Sequence, residues 1–294
     1  MQLHASMENL TAIPSPVVTM GSFDGVHVGH RVIIKRLNQL AKRVGGSSVL
    51  ITFHPHPRKV LYPETAGKGL RLINSPVEKI QLLEETGLDH LIILEFTLEF
   101  SRTTSGDFVK HYLVDRLRAH TIVVGFNHFF GHNKEGSYDS LYQLRKNHGF
   151  EVEEIPEQEI QHETVSSTKI RKALTEGNIQ RANAYLDHHY FMWARLGPHA
   201  GYSLRYHHPC FSVRHHDPLK LLPPPGSYAV SLQTDQGPEK GFLYIGTEEM
   251  LLLPMDTRVS TVPAEAGIRF HKRIAGAELL DPSRDLDAVR ELIY

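Results

Sequence analysis

The sequence predicts an α/β protein with two domains, a parallel-sheet domain followed by a small antiparallel β-barrel domain. Short β-favouring runs alternate with amphipathic helical patterns over the first two thirds of the chain. Near residue 188 the sequence becomes rich in His, Pro and Tyr, with short strand-like runs. The length of 294 residues also suits two domains better than one. We therefore predict domains at residues 1–187 and 188–294.

The first domain is predicted from its alternation of strands and helices. A strand at residues 17–20 precedes a helical pattern that runs from Val32 through Leu40. Further strands are predicted at 48–53, 91–94 and 121–124, and further helical patterns at 76–86, 106–119 and 167–186. Strands that alternate with helices indicate a Rossmann-like parallel sheet, covered on both faces, with ligands at the C-terminal ends of its strands.

The second domain is predicted from short runs with strand propensity. These lie at residues 227–232 and 241–245, and a closing helix is predicted at 285–292. The segment resembles a small antiparallel barrel more than another strand–helix–strand unit.

Composition restricts the classes of partner. The chain carries 32 basic and 33 acidic side chains, so it has no large net positive charge that would favour binding to nucleic acid or to an anionic membrane. Cys210 is the single cysteine, which excludes an intramolecular disulfide and fits a reducing cytoplasm. No apolar segment is long enough to span a bilayer. We expect a cytoplasmic protein with small-molecule partners, and the sequence leaves a homo-oligomer open.

The most informative segment follows the first predicted strand and reads Gly-Ser-Phe-Asp-Gly-Val-His-Val-Gly-His at residues 21–30. Its three glycines permit tight turns and close approach to a ligand, and the helix that follows offers free N–H groups to phosphate. His27 and His30 are three residues apart, so both imidazoles can donate to one polyphosphate.

Two other interpretations of this segment stay open at this point. The first is a glycine-rich turn with two surface histidines. The second is a zinc site, suggested by the chain's 20 histidines, but a zinc site needs three or four ligands at a recognisable spacing. The pairs that could contribute are His54/His56, His207/His208 and His215/His216. We predict no protein metal site.

Two further polar segments also follow predicted strands. After the second strand, residues 53–58 read Phe-His-Pro-His-Pro-Arg, a stiff loop that can wall a ligand pocket or simply connect two elements. After the fourth, residues 125–131 read Gly-Phe-Asn-His-Phe-Phe-Gly, where Asn127 offers a carbonyl to Mg²⁺ or an N–H to phosphate, or is only a turn residue. Phe53 and Phe129 are candidates for the core.

The segment Val-Ser-Ser-Thr-Lys-Ile-Arg at residues 165–171 opens a predicted helix. Its three hydroxyls, on Ser166, Ser167 and Thr168, can cap that helix or bind phosphate oxygens. Arg171 lies one turn further on, with a planar guanidinium that suits phosphate.

In order and spacing, the four segments resemble the bacterial bifunctional riboflavin kinase/FAD synthetase family, within the His-x-Gly-His nucleotidyltransferase superfamily. The resemblance implies an ATP:FMN adenylyltransferase that makes FAD from FMN and ATP, with Mg²⁺ accompanying ATP. It implies catalytic roles for His27, His30 and Arg171. It also implies substrate-binding roles for Gly21, Phe23, Asp24, Gly25, Gly29, Phe53, Pro55, His56, Pro57, Asn127, Ser166, Ser167 and Thr168. One departure is Phe129, where the family often carries a basic residue.

The resemblance weakens in the last third of the chain. The family's kinase stretch reads Gly-Arg-x-Leu-Gly-Phe-Pro-Thr-Ala-Asn, but residues 201–210 keep only the Gly and the Leu. His208 and Cys210 stand where the Thr and Asn would bind Mg²⁺ and nucleotide. Residues 225–230 resemble the family's Pro-x-Gly-x-Tyr-Ala-Val strand, so we expect the barrel without its kinase chemistry.

Three alternative functions remain. The chain could be a bifunctional enzyme with unrecognised kinase residues. It could be a nucleotidyltransferase for another phosphorylated acceptor, or a non-catalytic flavin- or nucleotide-binding regulator.

Overall fold

The computed structural model describes residues 1–8, 10–126, 128–157, 159–160, 163–234, 237–256 and 262–276. Asn127 and the predicted helix at 285–292 lie outside these residues. Contacts within the chain define two compact units. Unit 1 comprises Met1–Leu70 and Lys79–Thr164, and unit 2 comprises Arg71–Glu78 and the described residues from Val165 onward.

Unit 1 is built on a six-stranded parallel sheet, which confirms the predicted fold class of this part. Its strands are β1 Gln2–His4, β2 Val17–Met20, β3 Ser48–His54, β4 His90–Glu95, β5 Thr121–Gly125 and β6 Glu151–Ile155. The spatial order is β1-β4-β3-β2-β5-β6. A separate two-stranded sheet pairs β7 Glu159–Ile160 with β8 Glu163–Thr164.

Helices of different geometry connect the strands. The α-helices are α1 Val28–Arg43, α2 Pro57–Leu61, α3 Pro76–Glu84, α4 Ser105–Asp107 and α5 Tyr138–His148. Short 3₁₀ turns occupy Phe100–Arg102 and His132–Lys134. The helix predicted at 106–119 is present, but most of it, Phe108–Arg116, has π geometry. The first helix begins four residues before the predicted Val32.

Apolar burial explains why these segments form this sheet. All four residues of β2 are buried, as expected for a central strand covered on both faces. Helix α1 buries Ile34, Leu37, Leu40 and Ala41, which recur at helical spacing along one stripe.

The strand order reverses at β2, and this reversal locates the candidate site. The chain passes from β2 to β3 and β4 on one side, then returns to β5 and β6 on the other. At such a topological switch point the loops that follow the two central strands separate and leave a crevice for ligands. The loops after β2 and β5 carry two of the sequence motifs.

From Val165 onward, the described residues of unit 2 form helices and a closed antiparallel barrel, which confirms the predicted barrel. The helices are α6 Ser167–Thr175, α7 Ile179–Leu186 and α8 Ala200–Tyr206. The strands are β9 Phe191–Pro198, β10 Phe211–His215, β11 Gly226–Thr234, β12 Gly237–Ile245, β13 Met250–Pro254 and β14 Glu265–Ala275. They close in the order β10-β13-β12-β11-β14-β9.

The short segment Arg71–Glu78 is bound into unit 2 by a buried ion pair. Lys220 Nζ donates to Glu78 Oε2 and to the carbonyl oxygens of Ile73 and Phe191, each at 2.6 Å. Glu78 accepts further hydrogen bonds from the backbone N–H groups of Ser75 and Trp193. The ammonium and the carboxylate are therefore both satisfied within this unit.

The contact division and the predicted domains differ in where they place α6 and α7. The sequence places residues 165–187 in the first domain, whereas their contacts place them in unit 2. The domain boundary after residue 187 stays a prediction. Among the described helices, none has both the length and the apolar character that crossing a bilayer requires.

Candidate active site

The loop between β2 and α1 has an unusual backbone. Phe23 and Val26 have φ angles of 46° and 42°, and Gly25 has a φ of 97°. A positive φ is uncommon for any side chain and a genuine outlier for a β-branched residue such as Val26. Both side chains are nonetheless buried, Val26 completely. Strained backbone that is held by a buried core is a feature of binding and catalytic loops.

This loop stacks three rings at the start of α1. The rings of His27 and His30 are 3.6 Å apart between centroids and tilted by 19°, and Phe23 stacks on the other face of His30 at 4.4 Å. His27 is the N-cap of α1 and makes no side-chain capping bond there. The structure thus brings the two predicted histidines together.

The surroundings of the stack favour an anion. Burial, followed by electrostatic repulsion from His27 and Lys79, holds the pKa of His30 well below its usual 6.5, so this imidazole is neutral at pH 7. Its Nδ1 is buried and has no hydrogen-bond partner among the described residues. The first turn of α1 contains no acidic side chain, so its N–H groups and dipole remain available to a negative ligand.

Gly29 allows the two rings to pack so closely. A Cβ atom at this position would lie 3.3 Å from His27 Cε1 and 3.4 Å from its Nδ1. Any side chain here would therefore press on the His27 ring. Gly21 likewise lies close to the Phe23 ring, since a Cβ atom at position 21 would lie 3.2 Å from Phe23 Cε2.

Lys79 belongs to this site and was missed by the sequence reasoning. It lies on α3, and its Nζ donates to Ser22 O at 3.3 Å and to Thr52 Oγ1 at 3.1 Å. Burial lowers the pKa of Lys79 to about 8, while the nearby Asp24 carboxylate opposes this shift. Asp24 is itself only 5% exposed. A lysine in an amphipathic helix gives no signal in the sequence, because most such residues face solvent.

The loop after β5 lies beside the first loop. A Cβ built on Gly21 would lie 3.9 Å from His128 Cε1. Burial lowers the pKa of His128 to about 4, so its ring is neutral. The expectation that Phe129 belongs to the core is wrong, because its side chain is 53% exposed. The next residue, Phe130, packs against the core instead; it forms a β-bridge with Gly136, and successive side chains of extended backbone point to opposite faces.

The segment Phe53–Arg58, which begins at the end of β3, is partly structural. Phe53 packs against Phe96 and Phe100 at the edge of the apolar core. His56 is the N-cap of α2 and accepts a hydrogen bond from Arg58 N at 3.2 Å, and Pro57 is the first residue of that helix. The bond between His54 and Pro55 is cis. The loop is therefore both a rigid connection and a helix start.

The remaining predicted residues lie in unit 2 at the start of α6. Ser166 caps this helix, since its Oγ accepts a hydrogen bond from Lys169 N. Ser167 and Thr168 occupy the first turn, which has no acidic side chain. Arg171 Nε donates to Arg71 O at 3.0 Å and so holds the segment Arg71–Glu78. Capping thus accounts for Ser166, and the hydroxyls of Ser167 and Thr168 lie in the first turn of α6.

The kinase-like stretch in unit 2 has an apolar setting. Residues 200–206 form α8, and both His208 and Cys210 are buried. Cys210 packs with Ala229, Phe242 and Leu253, and burial raises the pKa of its thiol to about 12. Near α8, Glu249 accepts a hydrogen bond from Tyr202 Oη at 3.1 Å and lies 3.6 Å from His199 Nε2.

The described part of the chain has no group of three or more His, Cys, Asp or Glu side chains placed to hold a metal ion. Asn127, a possible Mg²⁺ ligand by sequence, lies outside the described residues.

Comparisons with known proteins agree with this architecture. A Rossmann-like sheet with a strained glycine loop at its switch point, followed by a closed barrel, defines the class of fold. The sequence profile of the FAD synthetase family matches residues 11–169. The chain therefore belongs to the FAD synthetase family.

Curated relatives cover most of the chain. The bifunctional riboflavin kinase/FMN adenylyltransferase of Listeria monocytogenes is 31% identical over 264 residues, which are 89% of this chain and 81% of that protein. The enzyme of the same name from Escherichia coli K12 is 28% identical over 292 residues, 97% of this chain and 85% of that protein.

Comparison with solved structures supports the fold. A crystal structure described as a macrolide-efflux protein from Streptococcus pneumoniae superposes with a TM-score of 0.83 at 22% identity. The superposition covers 99% of this chain and 96% of the Streptococcus pneumoniae chain. This likeness supports the fold and is silent on activity.

Proposed function

We propose that the protein is an ATP:FMN adenylyltransferase, which transfers AMP from ATP to FMN to give FAD and pyrophosphate. The observation that carries this proposal is the stacked pair His27–His30 at the N-terminus of α1, beside the sheet's switch point. Membership of the FAD synthetase family supports the choice of acceptor. The names of the relatives in Listeria and Escherichia coli support it as well.

The chemistry needs positioning and charge stabilisation. An oxygen of the FMN phosphate attacks the α-phosphorus of ATP, one P–O bond forms, and the bond to pyrophosphate breaks with its electron pair on the leaving oxygen. Enzymes accelerate such transfers mainly by holding the reacting groups in line and by placing donors where negative charge develops. No covalent intermediate with the protein is required.

We assign roles to the candidate site residues of unit 1. His27 and His30 donate to the α-phosphate, and the N–H groups at the start of α1 bind the neighbouring oxygens. The negative charge of a bound polyphosphate opposes the effects that lower the pKa of His30, so binding favours the charged form of this imidazole and strengthens its hydrogen bond. Gly21, Phe23, Asp24, Gly25 and Gly29 shape the loop, and the segment from Phe53 through Pro57 walls the flavin side.

The residues of α6 are assigned by family resemblance. Ser167 and Thr168 bind the pyrophosphate being expelled, and the guanidinium of Arg171 stabilises its charge. Ser166 keeps the helix start in place through its capping bond. Mg²⁺ enters only as the counter-ion that ATP carries, since Mg²⁺ is commonly bound through substrate phosphates. We assign no step to it.

We further propose that unit 2 has lost riboflavin kinase chemistry. Cys210 and His208 occupy the positions of two family residues that bind metal and nucleotide, and both are buried in the barrel unit. A buried thiol with a raised pKa is a poor ligand for Mg²⁺, which prefers oxygen. The balanced charge and the single cysteine also favour a cytoplasmic location with small-molecule partners.

The test is to incubate the full chain with ATP and Mg²⁺, supplying FMN or riboflavin, and to resolve the flavins by chromatography. FAD from FMN and no product from riboflavin is the expected result. FMN or FAD from riboflavin would show that kinase chemistry remains. If no FAD forms from FMN, the proposed activity is wrong.

A variant at the histidine pair links this activity to the site. His27→Ala should reduce turnover by roughly a hundredfold, the usual effect of removing one charge-stabilising donor. The matched control is His132→Ala, which removes an exposed histidine of the same unit. Equal activity in the two variants would show that the reaction occurs elsewhere.

A further inference from the structure

We propose that Lys79 is a substrate-positioning cation of this site, which holds the loop after β2 and supplies positive charge for the triphosphate of ATP. The inference rests on the proposed function for the identity of that ligand. It depends on contacts inside unit 1 alone.

The position of the Lys79 ammonium is fixed by the loop after β2 and by strand β3. It donates to the carbonyl oxygen of Ser22, which lies between the glycines of the first motif, and to Thr52 Oγ1 on β3. Thr52 Oγ1 in turn donates to Ser22 O at 3.3 Å. An ammonium has three N–H donors, so two donate to Ser22 O and Thr52 Oγ1 and the third remains for a ligand.

The charges that face this ammonium come from two other elements. Asp24, in the loop after β2, interacts favourably with Lys79. His30, on α1, experiences repulsion from both Lys79 and His27. Thr52, on β3, is uncharged. On α3 itself, the neighbouring Glu78 is already paired with Lys220.

A purely structural role would not require this charge. A neutral donor could bridge Ser22 and Thr52 without the cost of desolvating an ammonium, and that cost appears here as the lowered pKa of Lys79. Because His30 is neutral at pH 7, Lys79 contributes positive charge that this imidazole does not. The same charge helps to keep His30 neutral until an anion binds.

The test measures ATP binding by calorimetry between pH 6.5 and 9.5, without turnover. Lys79→Met keeps the apolar stem and removes the charge, whereas Lys79→Arg keeps a charge that does not titrate in this range. The control is Lys42→Met, at an exposed lysine near the end of α1. Circular dichroism verifies that each variant is folded.

In the wild type and in Lys42→Met, affinity should fall above pH 8 by up to about tenfold per pH unit, because Lys79 loses its proton. Lys79→Met should bind about tenfold more weakly at pH 7, as expected for a lost charged hydrogen bond, and should show no decline above pH 8. Lys79→Arg should keep most of the affinity and also lose the decline.

A wild-type pH profile in both Lys79 variants would overturn the inference. If Lys79→Met does not fold, the profile of Lys79→Arg decides alone. Failure of the proposed function is distinguishable, because the wild type would then bind ATP with the predicted profile yet make no FAD from FMN. Absence of ATP binding by the wild type would overturn both.

Discussion

Lys220 Nζ lies 2.6 Å from Glu78 Oε2, and both side chains are almost completely buried, at 3% and 1% exposure. The two residues are 142 positions apart in the sequence. The Lys220 ammonium also lies 4.3 Å from the centre of the Tyr190 ring. Removing one partner of such a pair leaves a buried charge without compensation, which is far more costly than losing an exposed pair.

We predict that Glu78→Gln destabilises the protein by about 3–5 kcal/mol, because it leaves the Lys220 ammonium buried and uncompensated. Denaturant unfolding followed by fluorescence measures this loss. The double variant Glu78→Gln/Lys220→Met should lose less than the sum of the two single variants. The control is Arg195→Gln, which removes the exposed ion pair between Arg195 and Glu265. If Glu78→Gln lowers the free energy of unfolding by no more than Arg195→Gln does, the buried pair does not stabilise the fold as proposed.

Gly29→Ala should separate activity from stability. Its new methyl group would press on the His27 ring and displace it, so we predict about a tenfold lower rate of FAD formation. This loss is smaller than the roughly hundredfold effect of removing a charge-stabilising donor altogether. Alanine is at least as good as glycine in a helix, so the melting temperature should stay the same or rise. The control is Gly69→Ala, where a Cβ has open space and the backbone has no positive φ, so it tests whether any glycine change lowers activity. Full activity in Gly29→Ala would show that the His27 ring need not be fixed.

Two partly buried histidines, His128 and His271, predict a loss of stability in acid. The pKa of His128 is about 4 in the folded protein, below the usual 6.5, so its contribution is present above pH 6.5 and is lost as pH falls towards 4. His128→Phe should remove up to about 3 kcal/mol of this pH dependence. Melting temperatures at pH 7.5 and 4.5 measure it. His271, whose pKa is also lowered to about 4, leaves part of the dependence in place.

Cys210 should be inert to thiol reagents in the native protein. Its side chain is 2% exposed, and burial raises the pKa of its thiol to about 12, so the reactive thiolate is scarce at pH 8. Titration with a colorimetric disulfide reagent should give no signal before unfolding and one thiol per chain in denaturant. Rapid reaction of the native protein would contradict the packing of Cys210 in the barrel.

The central strands and the barrel class were predictable because they depend on local apolar runs. Strands β2, β3, β4 and β5 appear within a residue or two of their predicted ends. The edge strands β1 and β6 were missed, since three or five mostly polar residues at a sheet edge show no such run. The single helical pattern at 167–186 is two helices, because Gly177 has a φ of 74° and Asn178 starts a new helix.

The candidate site was predicted where it follows a motif and missed where it depends on tertiary contact. His27 and His30 were identified from their spacing, and the structure stacks their rings. Lys79 was missed because its partners, Ser22 and Thr52, are 57 and 27 residues away. Phe129 was assigned to the core as a large aromatic, yet it lies in a loop that exposes it.

The membership of Arg71–Glu78 in unit 2 has a consequence for dividing the chain. A fragment that begins at residue 165 or 188 would contain Lys220 but lack Glu78, so an ammonium would be left in an apolar interior with its carboxylate missing. Leu72 would also be absent, and with it the backbone bonds to Leu219 and Leu221. A single cut therefore cannot release the barrel unit complete. Gene fission, limited proteolysis and expression of an isolated C-terminal piece should each yield a barrel less stable than the one inside the whole chain.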